Sequence, residues 1–252
     1  MGEPLRGIIH VHSDFSRDGM HSVADLAAFA RESGFRFVGL TDHAEDLIPK
    51  DIHNLQRECE EYSDESCLII PGLEFRCSGD IHILGLAVTQ EITSDDPVTV
   101  AGQIQHLGGI AILAHPSRNG YQCPAELYRV LNGIEIWNTG YDGRFVPPLA
   151  NIRLLQEARA GNTNVLAFGG ADLHAFYRPP GVVLELSTNG AGQIDTEVVL
   201  QGLRRGGFSV CGKYLSFRAN PELNGLMRFH LWAFRKIYEL SKSIRDVTLG
   251  EI

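Results

Sequence analysis

Six of the ten histidines, with several carboxylates, stand in short patterns suited to metal ligation: His10-Val11-His12, Ser16-Arg17-Asp18-Gly19, Thr41-Asp42-His43, Gly72-Leu73-Glu74, His82, His115-Pro116 and Asp172-Leu173-His174. Imidazole nitrogen and carboxylate oxygen are the donors that zinc, manganese and iron accept. Alternation along an extended strand sends His10 and His12 to the same side, where two neutral imidazoles can chelate one divalent ion. Alone this pair is a weak signal, because histidines near strand ends also serve as ordinary hydrogen-bonding groups. Asp18 alone reads as a turn aspartate. The weight lies in their joint placement. The other four histidines, His21, His53, His106 and His230, lie on or beside expected helices and carry no assigned role.

The elements that must position these groups follow from hydrophobic period. Apolar runs with β-branched residues predict strands over 7–11, 37–41, 68–75, 81–88, 110–114, 134–137, 165–168, 182–186 and 208–211. Helical period predicts helices over 22–32, 51–62, 98–107, 124–131, 148–160 and 195–205, with Ser22 and Asp25 forming a capping box. Such alternation is the mark of repeated βα units, and it implies an α/β barrel. The ligand-type groups then fall at strand ends, which in a parallel barrel converge on one functional rim. After Phe217, Asn220-Pro221 starts a helix whose apolar positions run from Leu223 through Leu231, Phe234, Ile237 and Tyr238 to Leu240. It reads as a closing helix packed on the barrel, with a homodimer contact as the alternative use of its wide apolar side.

Bulk properties bound the function. A chain of 252 residues with 44% apolar content can fill the core of one large domain. It shows no membrane-length apolar run and no signal-peptide core, so a cytoplasmic location without membrane attachment is expected. Five cysteines, an odd number with no C-x-x-C pair, indicate neither a disulfide framework nor a thiolate zinc site. A formal charge of -9 disfavours long nucleic acid as a partner, yet bound cations would offset that charge where an anionic substrate sits.

In their order along the chain, H-x-H with a later S-x-D-G, T-D-H, G-x-E, the His82-Ile83-Leu84-Gly85 strand, H-P and D-x-H resemble the PHP superfamily, named for polymerase-associated and histidinol-phosphatase domains. The resemblance covers about residues 6 to 212. It implies a distorted (β/α)7 TIM-like barrel over residues 1–217, with an added C-terminal helical extension over 218–252. It further implies that His10, His12, Glu74 and Asp172 bind one ion, that Asp18, His43 and His174 bind a second, and that Glu74 bridges to a third held by His82 and His115. Two departures stand out. Asp18 replaces a histidine found in some members, a harder ligand that favours manganese, iron or magnesium over zinc. The connection from His82 to His115-Pro116 is short, where some nucleotide-hydrolysing relatives carry an inserted helical subdomain.

The chemistry implied is hydrolysis of a phosphate ester. Two or three divalent ions (zinc, manganese or iron, with magnesium ranked below them) would acidify a water for in-line attack and oppose the charge that develops on phosphate oxygens. The catalytic candidates are Asp18, His43, Glu74 and Arg118. Arg118, in His115-Pro116-Ser117-Arg118, resembles the H-P-x-R of some phosphatase relatives and could clamp a phosphate with two donors. Arg17 ranks below it. Asp42 could orient an imidazole or serve a turn. Tyr121, Trp137, Tyr141, Phe176 and Tyr177 stand near the rim, where they could line a pocket. The expected partner is a small phosphorylated substrate: a nucleotide, sugar phosphate, histidinol phosphate or short phosphodiester. An amidohydrolase-like hydrolase is the alternative chemistry, and a non-catalytic metal-binding module acting with a partner is the alternative class.

Overall fold

The computed structural model describes residues 3–176, 180–187, 194–222 and 225–249, and these described residues form twelve strands and seven α-helices. In order these are β1 (Leu5–Val11), α1 (Val23–Glu32), β2 (Phe37–Leu40), β3 (Asp42–His43), α2 (Pro49–Tyr62), β4 (Leu68–Ile70), β5 (Gly72–Cys77) and β6 (Ile81–Leu86). There follow α3 (Pro97–His106), β7 (Ile110–Leu113), β8 (Gly133–Asn138), α4 (Thr139–Asp142), α5 (Leu149–Gly161), β9 (Leu166–Gly170), β10 (Val183–Leu186), α6 (Thr196–Arg204), β11 (Phe208–Cys211), β12 (Ser216–Arg218) and α7 (Gly225–Leu249). Tyr177 and Leu223 lie outside the described residues.

Local chemistry explains several boundaries. The Ser22 hydroxyl accepts from the Asp25 backbone N–H while the Asp25 carboxylate accepts from that of Ser22, the reciprocal box expected at the start of α1. Asp96 and Asp195 cap α3 and α6 in the same sense, each accepting a backbone N–H three residues on. The helix expected over 124–131 is instead a short 3-10 turn, Leu127–Val130.

The expected barrel closure is not found: among the described residues the strands make two six-stranded sheets, ordered β12-β11-β10-β1-β2-β4 and β3-β5-β6-β7-β8-β9, and neither is closed. Two runs that read as single strands each break and pass from one sheet to the other. One breaks at Thr41, between β2 and β3; the other breaks at Pro71, whose missing N–H cannot serve a ladder, between β4 and β5. Pairing is also mixed: β5-β6, β6-β7, β1-β10, β10-β11 and β11-β12 are antiparallel, so the chain is not a plain succession of parallel βα units. The sheets still meet at the functional end. The segment after β9 hydrogen-bonds to the end of β1, from Ala171 N–H to Ile9 O, Leu173 N–H to His10 O and His12 N–H to Leu173 O.

One continuous apolar core fills the interior, with Trp137, Phe37 and Phe168 among its largest fully buried side chains. The five cysteines are unpaired, and Cys59, Cys67 and Cys77 are buried. Among the described residues no helix is long and apolar enough to cross a membrane. α7 packs less completely than its apolar pattern suggests. Leu231 is buried, but Phe229, Trp232, Phe234, Ile237 and Leu240 are exposed, because apolar residues surround most of the helix and the body covers only one side.

Candidate metal centre

All nine residues expected as ligands meet at one end of the two sheets. Glu74 is the hub, at the middle of β5 and almost wholly buried. Its Oε2 lies 3.4 Å from both His10 Nε2 and His12 Nε2 and 3.2 Å from His43 Nδ1, while its Oε1 lies 2.7 Å from His82 Nδ1 and 3.0 Å from His115 Nε2. Asp172 Oδ1 stands 3.5 Å from His10 Nε2 and 3.8 Å from His12 Nε2. At the mouth, Asp18 Oδ2 lies 3.3 Å from His43 Nε2 and 3.5 Å from His174 Nε2. The spacings of 3.2 to 3.5 Å match the edges of coordination shells with bonds of about 2.0–2.2 Å, while His82 Nδ1 and His115 Nε2 hydrogen-bond to Glu74 Oε1.

The backbone that holds these groups is irregular. His10, His115 and Asp172 adopt positive φ, at 61°, 24° and 49°. Non-glycine residues hold such angles only where surrounding structure imposes them, and they collect at functional sites. At His10 the β1-β2 register shifts, so a bulge, not plain strand alternation, sets the relation of His10 to His12. His82 is the second residue of β6 and so opens that strand, as its sequence position suggests, rather than standing at a C-terminal strand end as expected for the ligand groups together. It reaches the rim because β6 runs antiparallel to β5.

Groups around the ligands set their orientation, and most were not singled out in the sequence. Glu135 is fully buried on β8; its Oε1 accepts from His10 Nδ1 at 2.8 Å, and its Oε2 accepts from the His115 backbone N–H and from Asn138 Nδ2. That contact puts the proton on Nδ1 and leaves Nε2 to face the cluster. The signal was a carboxylate inside an otherwise apolar strand, a costly placement without partners. Asp42 does not orient an imidazole. It accepts from the Ser13 N–H and from the Ser13 and Ser16 hydroxyls, at 2.7 to 2.8 Å. Ser16 Oγ in turn accepts the His43 backbone N–H at 2.9 Å and sits 3.5 Å from His12 Nδ1. The Asp42 network therefore fixes the loop after β1 that carries Asp18.

The Gly19 of S-x-D-G has a steric reason: an added Cβ would collide with the Ser13 carbonyl. Gly19→Ala should displace that loop, cost about 1–3 kcal/mol as overpacking does, and weaken metal binding around Asp18. Thermal unfolding and metal titration of the variant check this; parental values in both would show that the loop has room to yield.

The electrostatics fit divalent cations. His10 Nε2, His12 Nε2, His43 Nδ1 and His82 Nε2 are buried without a hydrogen-bond partner, and all belong to the cluster. Buried polar groups are rarely left so. Burial disfavours a charged His10, yet Glu135, Asp172 and Glu74 overcome this and push its pKa well above the usual imidazole range. Burial works against protonation of His43 too, but Glu74, Asp18 and Glu45 lift it to about 9. His12 moves well below the usual value, through burial and the repulsion of His10, His174 and His43. Glu74 stays well below the carboxylate range because His10, His115 and His43 outweigh its burial. The buried carboxylates demand positive charge, and protons on His10 and His43 supply it where cations would.

The phosphate-arm candidates differ. Arg118 donates from Nε and Nη2 to the Asp80 carboxylate, at 3.0 and 3.3 Å, and from Nη1 to Tyr141 Oη at 2.9 Å. Tyr141 lies against His115, with ring centroids 4.5 Å apart, so Arg118 borders the His82 and His115 side. Arg17 is exposed and lies 3.5 Å from Asp46, outside the cluster. Trp137 is buried, donating to Gly143 O, and Phe176 stacks on His21 and Phe29, so neither offers a free ring to a ligand.

Among solved structures, the chain is similar to a protein from Bifidobacterium adolescentis described as a metal-dependent phosphoesterase, at 19% identity and TM-score 0.53, over 81% of this chain and 98% of that one. It is similar too to PsfC from Pseudomonas syringae, at 15% identity and TM-score 0.59, over 95% and 99% of the two chains. At such identities the likeness is one of fold. No curated protein matches the sequence. The model of the PHP domain matches residues 9–168, more than half of the chain and the span from His10 through His115. With that match, and with the fold and the cluster arranged as described, the chain belongs to the PHP domain family.

Proposed function

We propose that the protein is a metal-dependent phosphoesterase that hydrolyses a small phosphomonoester at this cluster, with two or three divalent ions drawn from zinc, manganese and iron. The observation that carries this is the convergence of five imidazoles on Glu74: the buried, unpartnered nitrogens of His10, His12 and His43 face its Oε2, while His82 Nδ1 and His115 Nε2 hydrogen-bond to its Oε1. Membership of the PHP domain family supports it, as does the activity in the description of the Bifidobacterium protein.

When bound, the ions supply the charge that acidifies a water and neutralises phosphate oxygens. His10, His12, Glu74 and Asp172 would hold one, Asp18, His43 and His174 a second, and His82 and His115, with the other Glu74 oxygen, a third. Glu135 and Ser16 keep the His10 and His12 rings turned toward the centre. Asp18, 47% exposed on its side chain, stands where substrate enters. Arg118 meets a phosphate on the His115 side by exchanging Asp80 for the incoming oxygens, as a planar two-pronged donor can. The acidic chain favours a small ester over a long nucleic acid.

Phosphate release by protein reconstituted with each metal in turn tests the reading. Activity should vanish with chelation and return with metal; hydrolysis of an amide or lactone but of no phosphate ester would replace it. Arg118→Lys should lower kcat/KM by about tenfold, a loss of about 1.4 kcal/mol in the barrier term, with bound metal unchanged. The same change at Arg17 should do less. Full efficiency in Arg118→Lys would remove that residue from the site.

A further inference from the structure

A cleft of about 880 Å³ opens beside the cluster, with Asp172 and His174 on its inner side. Its size lies within the range of about 300–1,000 Å³ usual for small-molecule sites, so it has room for an organic group well beyond a phosphate. The outer side is supplied by α7, through Arg235, Tyr238 and Glu239. The region matched to the family ends at residue 168, far before this helix. The wall is therefore built by the C-terminal part, beyond the matched span.

α7 is seated there by specific contacts. Leu231 is buried, and Arg235 Nη1 donates to the carbonyl oxygens of Asp142 and Val146, at 2.7 and 3.2 Å. Tyr238 packs so closely on Gly143 that a Cβ at that glycine would lie 2.7 Å from its Oη. The same loop begins with α4, which carries Tyr141 against His115 and Arg118. Tyr141 and Phe145 line the cleft together with Tyr238 and stay 46% and 41% exposed, although Tyr141 rests on His115, Phe145 packs on Tyr214 and Tyr238, and Arg235 lies over the Tyr238 ring. The aromatic surface these rings leave open around a space of this size suits a ring-bearing group better than a short aliphatic polyol.

We infer that α7 completes the substrate site, and that Tyr238, with Tyr141 and Phe145, binds a ring-bearing leaving group of the ester cleaved at the cluster. This rests on the phosphoesterase reading. Tyr238 is the specificity-determining residue, and Arg235 is a positioning residue that holds the helix in place.

The test uses the full chain loaded with Mn²⁺ and three phosphomonoesters with one phosphate each: glycerol phosphate, phenyl phosphate and a nucleoside monophosphate. Binding of phenol and of the free nucleoside is measured in parallel by calorimetry. The parent should prefer the two ring-bearing esters. Tyr238→Ala should raise KM for them about tenfold more than for glycerol phosphate, as loss of one aromatic contact worth about 1.4 kcal/mol would do, and should weaken nucleoside binding in step. Tyr238→Phe, which keeps the ring, should retain the preference. Equal changes across the three esters, or a parent without preference, would overturn the inference while leaving the phosphoesterase reading intact. If no ester is cleaved by metal-loaded parent, that reading falls; nucleoside binding lost in Tyr238→Ala would then still assign the cleft, and its absence would remove both.

Discussion

Glu74→Gln should abolish turnover and strip the protein of metal. Both Glu74 oxygens are committed, Oε2 to His10, His12 and His43 and Oε1 to His82 and His115, and an amide offers one neutral acceptor where two anionic oxygens stood. The expected fall in kcat/KM is at least about 10²–10³, the scale for losing a single group aimed at developing charge. It should exceed the effect of Glu135→Gln, which touches the ions only through His10 and His115 and should cost about 10–100-fold in metal affinity. Elemental analysis, circular dichroism and kinetics on the same preparations decide the matter. Near-parental turnover with unchanged metal content in Glu74→Gln would place the reaction elsewhere.

Metal loading should release protons. His43 is held at about 9, by Glu74 and Asp18 against the effect of its burial, and His10 is held well above the ordinary imidazole value by its carboxylates. Near pH 7.5 His43 is therefore protonated in the metal-free protein and His10 is biased the same way, whereas a ligating imidazole must be neutral. Loading at that pH should expel at least about one proton per chain, and affinity should fall as pH is lowered. The same shift governs stability. A histidine whose folded pKa is raised contributes stability fully below its unfolded value, near 6.5, and loses it as pH rises through the folded value. The metal-free protein should thus lose stability between about pH 6.5 and 9, and metal-loaded protein should not. Titration in weak buffer with an indicator, together with melting curves at both ends of that window, checks each part; loading without proton release at pH 7.5 would mean that these imidazoles are already neutral.

What could be read from the sequence was local. His10, His12, Asp18, His43, Glu74, His82, His115, Asp172 and His174 could be gathered as candidates because donor type and short spacing are written in a few adjacent residues, and the fold brings the nine side chains together. Most strands and helices were legible for the same reason, since period and capping act over single turns, as Ser22 and Asp25 show. The arrangement of the sheets was not, and the barrel expected from the alternation of elements gave way to two open sheets, because breaks at Thr41 and Pro71 and the antiparallel turn from β5 to β6 decide which edges pair, and pairing is a choice among distant partners. It is that turn which brings His82, at the start of its strand, onto Glu74. The outer partners were hidden for a related reason: the bond from His10 to Glu135 joins residues 125 positions apart, and no local pattern marks it. The place of α7 was likewise decided by packing, since a helix apolar around most of its circumference does not say which side meets the body. Residue types and spacing determined the chemistry available to this chain, and the long-range pairing of strands decided where that chemistry converges, because only tertiary contact can set the distance between side chains far apart in sequence.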